Sequence, residues 1–133
     1  MASDTPISAS GGDLQVALSG GNLIRYRFKF FLEKPAGETF PETGSRIKKI
    51  HEVTLNKNHP PTDTFSLGPA AALEGLALTW TVDMKVPGGG GPLHFNAEIT
   101  IKQDEDEVMN WSRDGEITNT ESIGDITEFE VEP

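Results

Sequence analysis

Apolar residues occupy every second position from Leu76 to Val86: Leu76, Leu78, Trp80, Val82, Met84 and Val86, with Ala77, Thr79, Thr81, Asp83 and Lys85 between them. The same beat resumes in the opposite phase at Phe95, with Ala97, Ile99 and Ile101 apolar and Asn96, Glu98, Thr100 and Lys102 polar. A period of two over such lengths marks strands with one dry face and one wet face. Between the arms, Pro87 and Pro92 cannot donate to a ladder, and the glycines from 88 to 91 can take any backbone angle, so the chain reverses there. The two arms are expected to pair as a long antiparallel hairpin whose apolar face another part of the chain must cover.

The remaining pattern supplies that cover. Leu14, Val16 and Leu18 form one short alternating run, closed by a turn at Ser19-Gly20-Gly21-Asn22. A stronger run places Ile24, Tyr26, Phe28, Phe30 and Leu32 on one side and Arg25, Arg27 and Lys29 on the other. From Ile47 to Leu55 the stripe is broken by Lys49 and His51, which points to an edge strand or a bulge. Asn56–Thr64 is expected to be loop, Thr64–Leu67 a short strand, and Pro69–Glu74 a single helical turn. Val108–Trp111 and Glu116–Thr118 are expected to pair around a turn at Ser112-Arg113-Asp114-Gly115. The last strand, Ile123–Val131, turns Thr127, Phe129 and Val131 inward and Glu128 and Glu130 outward. Residues 1–12 are small and polar and are expected to form a flexible arm. The chain therefore predicts one all-β domain over residues 1–133, an antiparallel β-sandwich of jelly-roll or immunoglobulin-like kind with about seven or eight strands.

Composition narrows the chemistry. Without cysteine, disulfides and thiolate metal sites are excluded. No window approaches a membrane span, and the amino end lacks a basic start and an apolar run, so a cytoplasmic location is the default expectation. Charge is placed unevenly. Residues 1–97 balance, whereas residues 98–133 set twelve carboxylates against Lys102 and Arg113 and so carry the whole net charge of −10. Such a balance repels nucleic acid and suits a basic partner or a divalent cation.

Catalytic constellations are not legible. The three histidines, His51, His59 and His94, fit no zinc spacing, no Gly-x-Ser-x-Gly elbow occurs, and the glycine run joins strand to strand rather than strand to helix. A non-catalytic module is expected. The acidic quartet Asp104, Glu105, Asp106 and Glu107 is a candidate for loop-bound calcium, the one cofactor considered, although it fails the EF-hand pattern. Trp111 beside Asp114 is a candidate platform for stacking on a carbohydrate. Arg25, Arg27 and Lys29 are a candidate anion-binding or oligomer-contact stripe, unless they pair with Glu98, Glu128 and Glu130 on neighbouring strands.

Gly75-Leu76-Ala77-Leu78-Thr79, Val82-Asp83-Met84-Lys85-Val86 and Gly89-Gly90-Gly91-Pro92-Leu93-His94-Phe95, followed by the acidic Asp104–Glu107, resemble the last core hairpin of nucleoplasmin-type histone chaperones over about a fifth of the chain. That resemblance implies a β-sandwich that assembles into a pentamer and binds basic proteins. The expected functions are thus binding or self-assembly through strand edges, with a lectin-like or calcium-binding module and an acidic-face binder of basic proteins as alternatives.

Overall fold

A strand that is apolar on one side only must lay that side against another sheet. The computed structural model, which describes residues 3–21, 24–40, 44–55, 62–89 and 92–132, shows this done with two sheets. The strands are β1 (Ser3–Ser8), β2 (Leu14–Gly21), β3 (Arg25–Glu33), β4 (Ile47–Leu55), β5 (Thr62–Gly68), β6 (Ala77–Lys85), β7 (Leu93–Gln103), β8 (Asp106–Ile117) and β9 (Thr120–Glu132). One sheet has the order β1-β9-β6-β3-β4 and the other β5-β2-β7-β8. The all-β sandwich is as the alternation implies. Single 3-10 turns at Ala70–Leu73 and Pro87–Gly89 complete the described elements.

The central hairpin does not exist. β6 lies between β3 and β9 in the five-stranded sheet, whereas β7 lies between β2 and β8 in the other. The chain leaves one layer after a fully buried Val86, makes the turn at Pro87–Gly89, and begins β7 in the other layer. Alternation dictates which face of a strand is dry; it is silent on which strand lies alongside. The two arms do share one core. Trp80, Tyr26, Phe28 and Phe95 all belong to a single buried cluster, with Leu14, Val16 and Leu18 from β2 and Ile99 and Ile101 from β7. Phe28 stacks between Tyr26 and Phe30 at 6.1 and 6.3 Å, and Trp80 meets Trp111 edge-on at 5.6 Å.

Other expectations are corrected in the same way. Within residues 1–12, Ser3–Ser8 is an ordered edge strand paired in parallel with β9, anchored by the buried Ile7 and by a 2.6 Å hydrogen bond between the Thr5 and Thr127 hydroxyls. Asp114 and Gly115 make no turn; they lie inside β8. Gly115 is small because a Cβ there would stand 3.0 Å from the Phe95 ring. The true reversal between β7 and β8 is Asp104-Glu105, both at positive φ (52° and 71°), as a tight hairpin turn of the primed type requires. Asp106 and Glu107 already belong to β8. In β4 both anticipated causes are present: the strand is an edge, and the register shifts between Phe30 and Phe31, leaving Ile50 as the extra residue. The bulge reverses the phase and leaves Ile47 48% exposed. The Asn56–Pro61 part of the predicted loop, with His59, lies outside the described residues.

Two outcomes follow. Phe28→Ala should destabilise the fold by about 3–5 kcal/mol in chemical denaturation, as a ring lost from a close-packed core does. Glu105→Gly should instead raise the melting temperature, since a left-handed backbone costs an L-residue about 1–2 kcal/mol and glycine much less.

Candidate functional site

Strand alternation gives the five-stranded sheet an outward face built from β9, β6, β3 and β4. Read along the strands, its rows are Thr120, Lys85 and Arg25; then Ser122, Asp83, Arg27 and Thr54; then Gly124, Thr81, Lys29 and Glu52; then Ile126, Thr79, Phe31 and Lys49; then Glu128, Ala77, Glu33 and Ile47. At the first two rows the surface opens into a cleft of about 380 Å³ lined by three cations, Arg25, Arg27 and Lys85, two carboxylates, Asp83 and Glu121, and the hydroxyls of Thr120 and Ser122.

The expected carboxylates do not pair with the basic stripe. Lys29 reaches Asp83 at 3.9 Å and Arg27 reaches Glu52 at 4.0 Å. Glu98 sits on β7 in the other sheet, and β6 separates β3 from β9 with its Glu128 and Glu130. Glu52 is shared with Lys49 at 2.9 Å, and the hydrogen bond from Lys49 holds its carboxyl below the ordinary range. Arg25 lies directly opposite Lys85, and neither has an ion pair among the described residues. Like charges facing each other across a ladder are unfavourable. Asp83, the nearest carboxylate on that face, is engaged by Lys29 and accepts a hydrogen bond from the Ser122 hydroxyl.

The far end of the same face is acidic. Glu33 pairs with Arg46 at 3.9 Å, while Glu128, Glu130 and Glu132 are exposed and have no ion pair among the described residues. The middle rows are small or partly apolar on β9 and β6, with Gly124, Thr81, Thr79 and Ile126, while β3 and β4 add Phe31 and the charged Lys29, Glu52 and Lys49.

The other predicted residues do not converge. Trp111 faces inward and is 6% exposed, with its indole N–H donated to Asp125 at 3.2 Å and the Arg113 guanidinium over its ring, so it offers no open stacking surface. Asp114 points the opposite way, out of the four-stranded sheet, 3.7 Å from His94. Asp104 accepts hydrogen bonds from the Gly12 amide, a hairpin-turn residue tying down the chain before β2. Glu105, Asp106 and Glu107 are exposed around that turn, and among the described residues no group of three or more His, Asp or Glu is arranged to hold a metal ion. The acidic third is also divided, with Glu98, Glu107, Asp114 and Glu116 on the outward face of the four-stranded sheet and Glu128, Glu130 and Glu132 on the opposite one. Among the described residues no helix is long and apolar enough to cross a membrane.

Sequence reasoning missed the polar bridges between the sheets. His51 on β4 bonds Asp63 on β5 at 2.8 Å and stacks on Phe65 at 4.2 Å. Asp125 on β9 accepts from Trp111 and Arg113 on β8. Gln103 on β7 ties the end of β1 through the Ser8 amide and carbonyl and through Gly12. The Tyr26 hydroxyl on β3 donates to the Gly21 carbonyl and accepts from the Asn96 amide. The available signal was a polar residue in phase with an apolar stripe, as Gln103 follows Phe95, Ala97, Ile99 and Ile101.

Burial of Tyr26 pushes its phenol above its ordinary value, against the opposing pull of its backbone hydrogen bonds. Below about pH 10 the folded and unfolded phenols are both protonated and the shift has no effect on stability; above it the unfolded chain alone releases the proton, so stability should fall. Tyr26 is the only tyrosine, so its phenolate absorbance should rise only above the normal range. Tyr26→Phe should abolish the alkaline loss and cost roughly 1–3 kcal/mol at neutral pH, by orphaning the groups its hydroxyl serves. A titration at the ordinary phenol value would contradict the bridge.

No family model, no curated protein and no solved structure matches this chain, so its surfaces are read from their geometry.

Proposed function

We propose that this chain is a non-catalytic binding module whose ligand presents anionic groups, seated in the cleft between Arg25, Arg27 and Lys85. One observation carries the reading: Arg25 and Lys85 face each other across the ladder in that cleft and neither has an ion pair among the described residues, while Asp83 is already shared between Lys29 and Ser122 and the cleft's cations outnumber its two carboxylates, Asp83 and Glu121. An anion between the two cations relieves their repulsion, and the hydroxyls of Thr120 and Ser122 add donors of the kind carboxylate or phosphate oxygens accept. The cations sit on rigid strands rather than on a loop, so little is lost in ordering them.

Two features favour this reading over its alternatives. The inward-facing Trp111 gives a lectin-like site no aromatic platform. The division of the acidic residues between opposite faces denies a basic protein, of the kind a nucleoplasmin-type chaperone binds, one continuous carboxylate surface.

Calorimetric titration with inorganic phosphate and with penta-glutamate, at low ionic strength, tests the cleft. Binding should be detectable with the native chain and about five- to thirty-fold weaker in Arg25→Ala/Lys85→Ala, the equivalent of about 1–2 kcal/mol. Absence of binding, or binding indifferent to the double substitution, would contradict the proposal.

A further inference from the structure

We infer that the anionic partner of this cleft is a second copy of the same chain, whose Glu128, Glu130 and Glu132 enter it while its own cleft receives the same residues in return. The inference rests on the anion-binding reading and names the source of the anion.

The outward face of the five-stranded sheet is polarised along its strands. Arg25, Arg27 and Lys85 stand at one end, Glu128, Glu130 and Glu132 at the other, and between them lie Gly124, Thr81, Lys29 and Glu52, then Ile126, Thr79, Phe31 and Lys49. A surface with opposite charge at its two ends is complementary to itself after a half-turn. With the two-fold axis in the interface plane and running across the strands, each β9 lies over the other copy's β9, so the β9 carboxylates come over the Thr120 end with Lys85 on the adjacent strand, and Glu33 comes over Arg25, the isologous contact of a two-fold dimer. Along β9 and β6 the central Gly124, Thr81 and Thr79 are small, which lets two such faces approach there near the spacing of stacked sheets.

The area fits. Five strands about 4.8 Å apart and roughly nine residues long give a face on the order of 24 Å by 30 Å, about 700 Å² per copy, close to the ~800 Å² per side of a specific interface. Assembly through the β4 or β8 edge is less favoured. The β4 edge carries the exposed Lys48 and Lys49 and the bulge at Ile50, and the β8 edge carries Glu107, Arg113, Asp114 and Glu116. Charges and bulges are how edges are kept from pairing.

Sedimentation equilibrium of the full chain gives the test, with mass read against protein and salt concentration. The chain is 14.4 kDa. It should reach twice that mass at low ionic strength and shift toward monomer as salt screens the charges. Arg25→Glu/Lys85→Glu makes both ends of the face acidic, and Glu128→Lys/Glu130→Lys makes both ends basic, so each variant alone should be monomeric at least ten-fold above the native midpoint. Mixed in equal amounts, they should associate again, because both contacts then join opposite charges. Circular dichroism and melting of each variant establish that it is folded, and should a variant not fold, Arg25→Gln/Lys85→Gln and Glu128→Gln/Glu130→Gln replace the reversals.

A native chain that is monomeric but binds penta-glutamate would overturn the second copy and leave the anion-binding reading standing. A monomer that binds neither phosphate nor penta-glutamate would remove both. A dimer whose midpoint ignores the four substitutions would place the contact on another surface and equally overturn the inference.

Discussion

Everything in this molecule depends on the dry layer between two sheets, because no strand pair here would persist without it. Each strand has one apolar side, and isolated pairs of such strands are marginal in water. The layer is made from β2, β3, β6 and β7 above all: Leu14, Val16 and Leu18 against Tyr26, Phe28 and Phe30, and Leu78, Trp80 and Val82 against Ala97, Ile99 and Ile101. Consecutive strands repeatedly change sheets, so the core is knitted by the chain path itself. Gly124 shows how close the fit is: a Cβ there would lie 2.5 Å from the Trp80 carbonyl, so only glycine lets β9 run beside β6.

The rim of that layer is closed by polar side chains rather than by more apolar ones. His51 with Asp63 spans the β4–β5 side, and Asp125 with Trp111 and Arg113 spans the β8–β9 side. Tyr26 and Gln103 tie further strands together from within. These residues are engaged in holding the sheets together. What is left over for function is the outward faces, and of these the five-stranded one separates its charges along its length.

The legibility of the chain follows a physical line. Inward and outward positions were readable almost throughout, because a period of two is imposed by the backbone and a buried face tolerates few polar side chains. Tyr26, Phe28, Trp80 and Phe95 were therefore placed correctly in one layer. Strand neighbours were not readable: the same alternation in β6 and β7 fits a hairpin and a crossing equally well, and only the partners on both sides decide. Turn chemistry misled at Asp114-Gly115, where glycine serves the Phe95 ring, while Asp104-Glu105 took positive φ angles without glycine. Of the candidate site residues, the stripe Arg25, Arg27 and Lys29 was legible as a wet face, but Lys85 and the hydroxyls beside it come from strands that meet β3 only in the folded sheet. Trp111 was misplaced because its position was counted from a turn that is not there.

The cationic end of the five-stranded sheet is the surface on which the proposed binding depends. Amide chemical-shift mapping as penta-glutamate is added to the isotope-labelled chain at low salt tests this most directly. The largest changes should fall on Arg25, Arg27, Lys85, Thr120 and Ser122. Changes centred on the outward face of the other sheet, around Asn96, Glu98 and Ser112, or no changes at all, would contradict it.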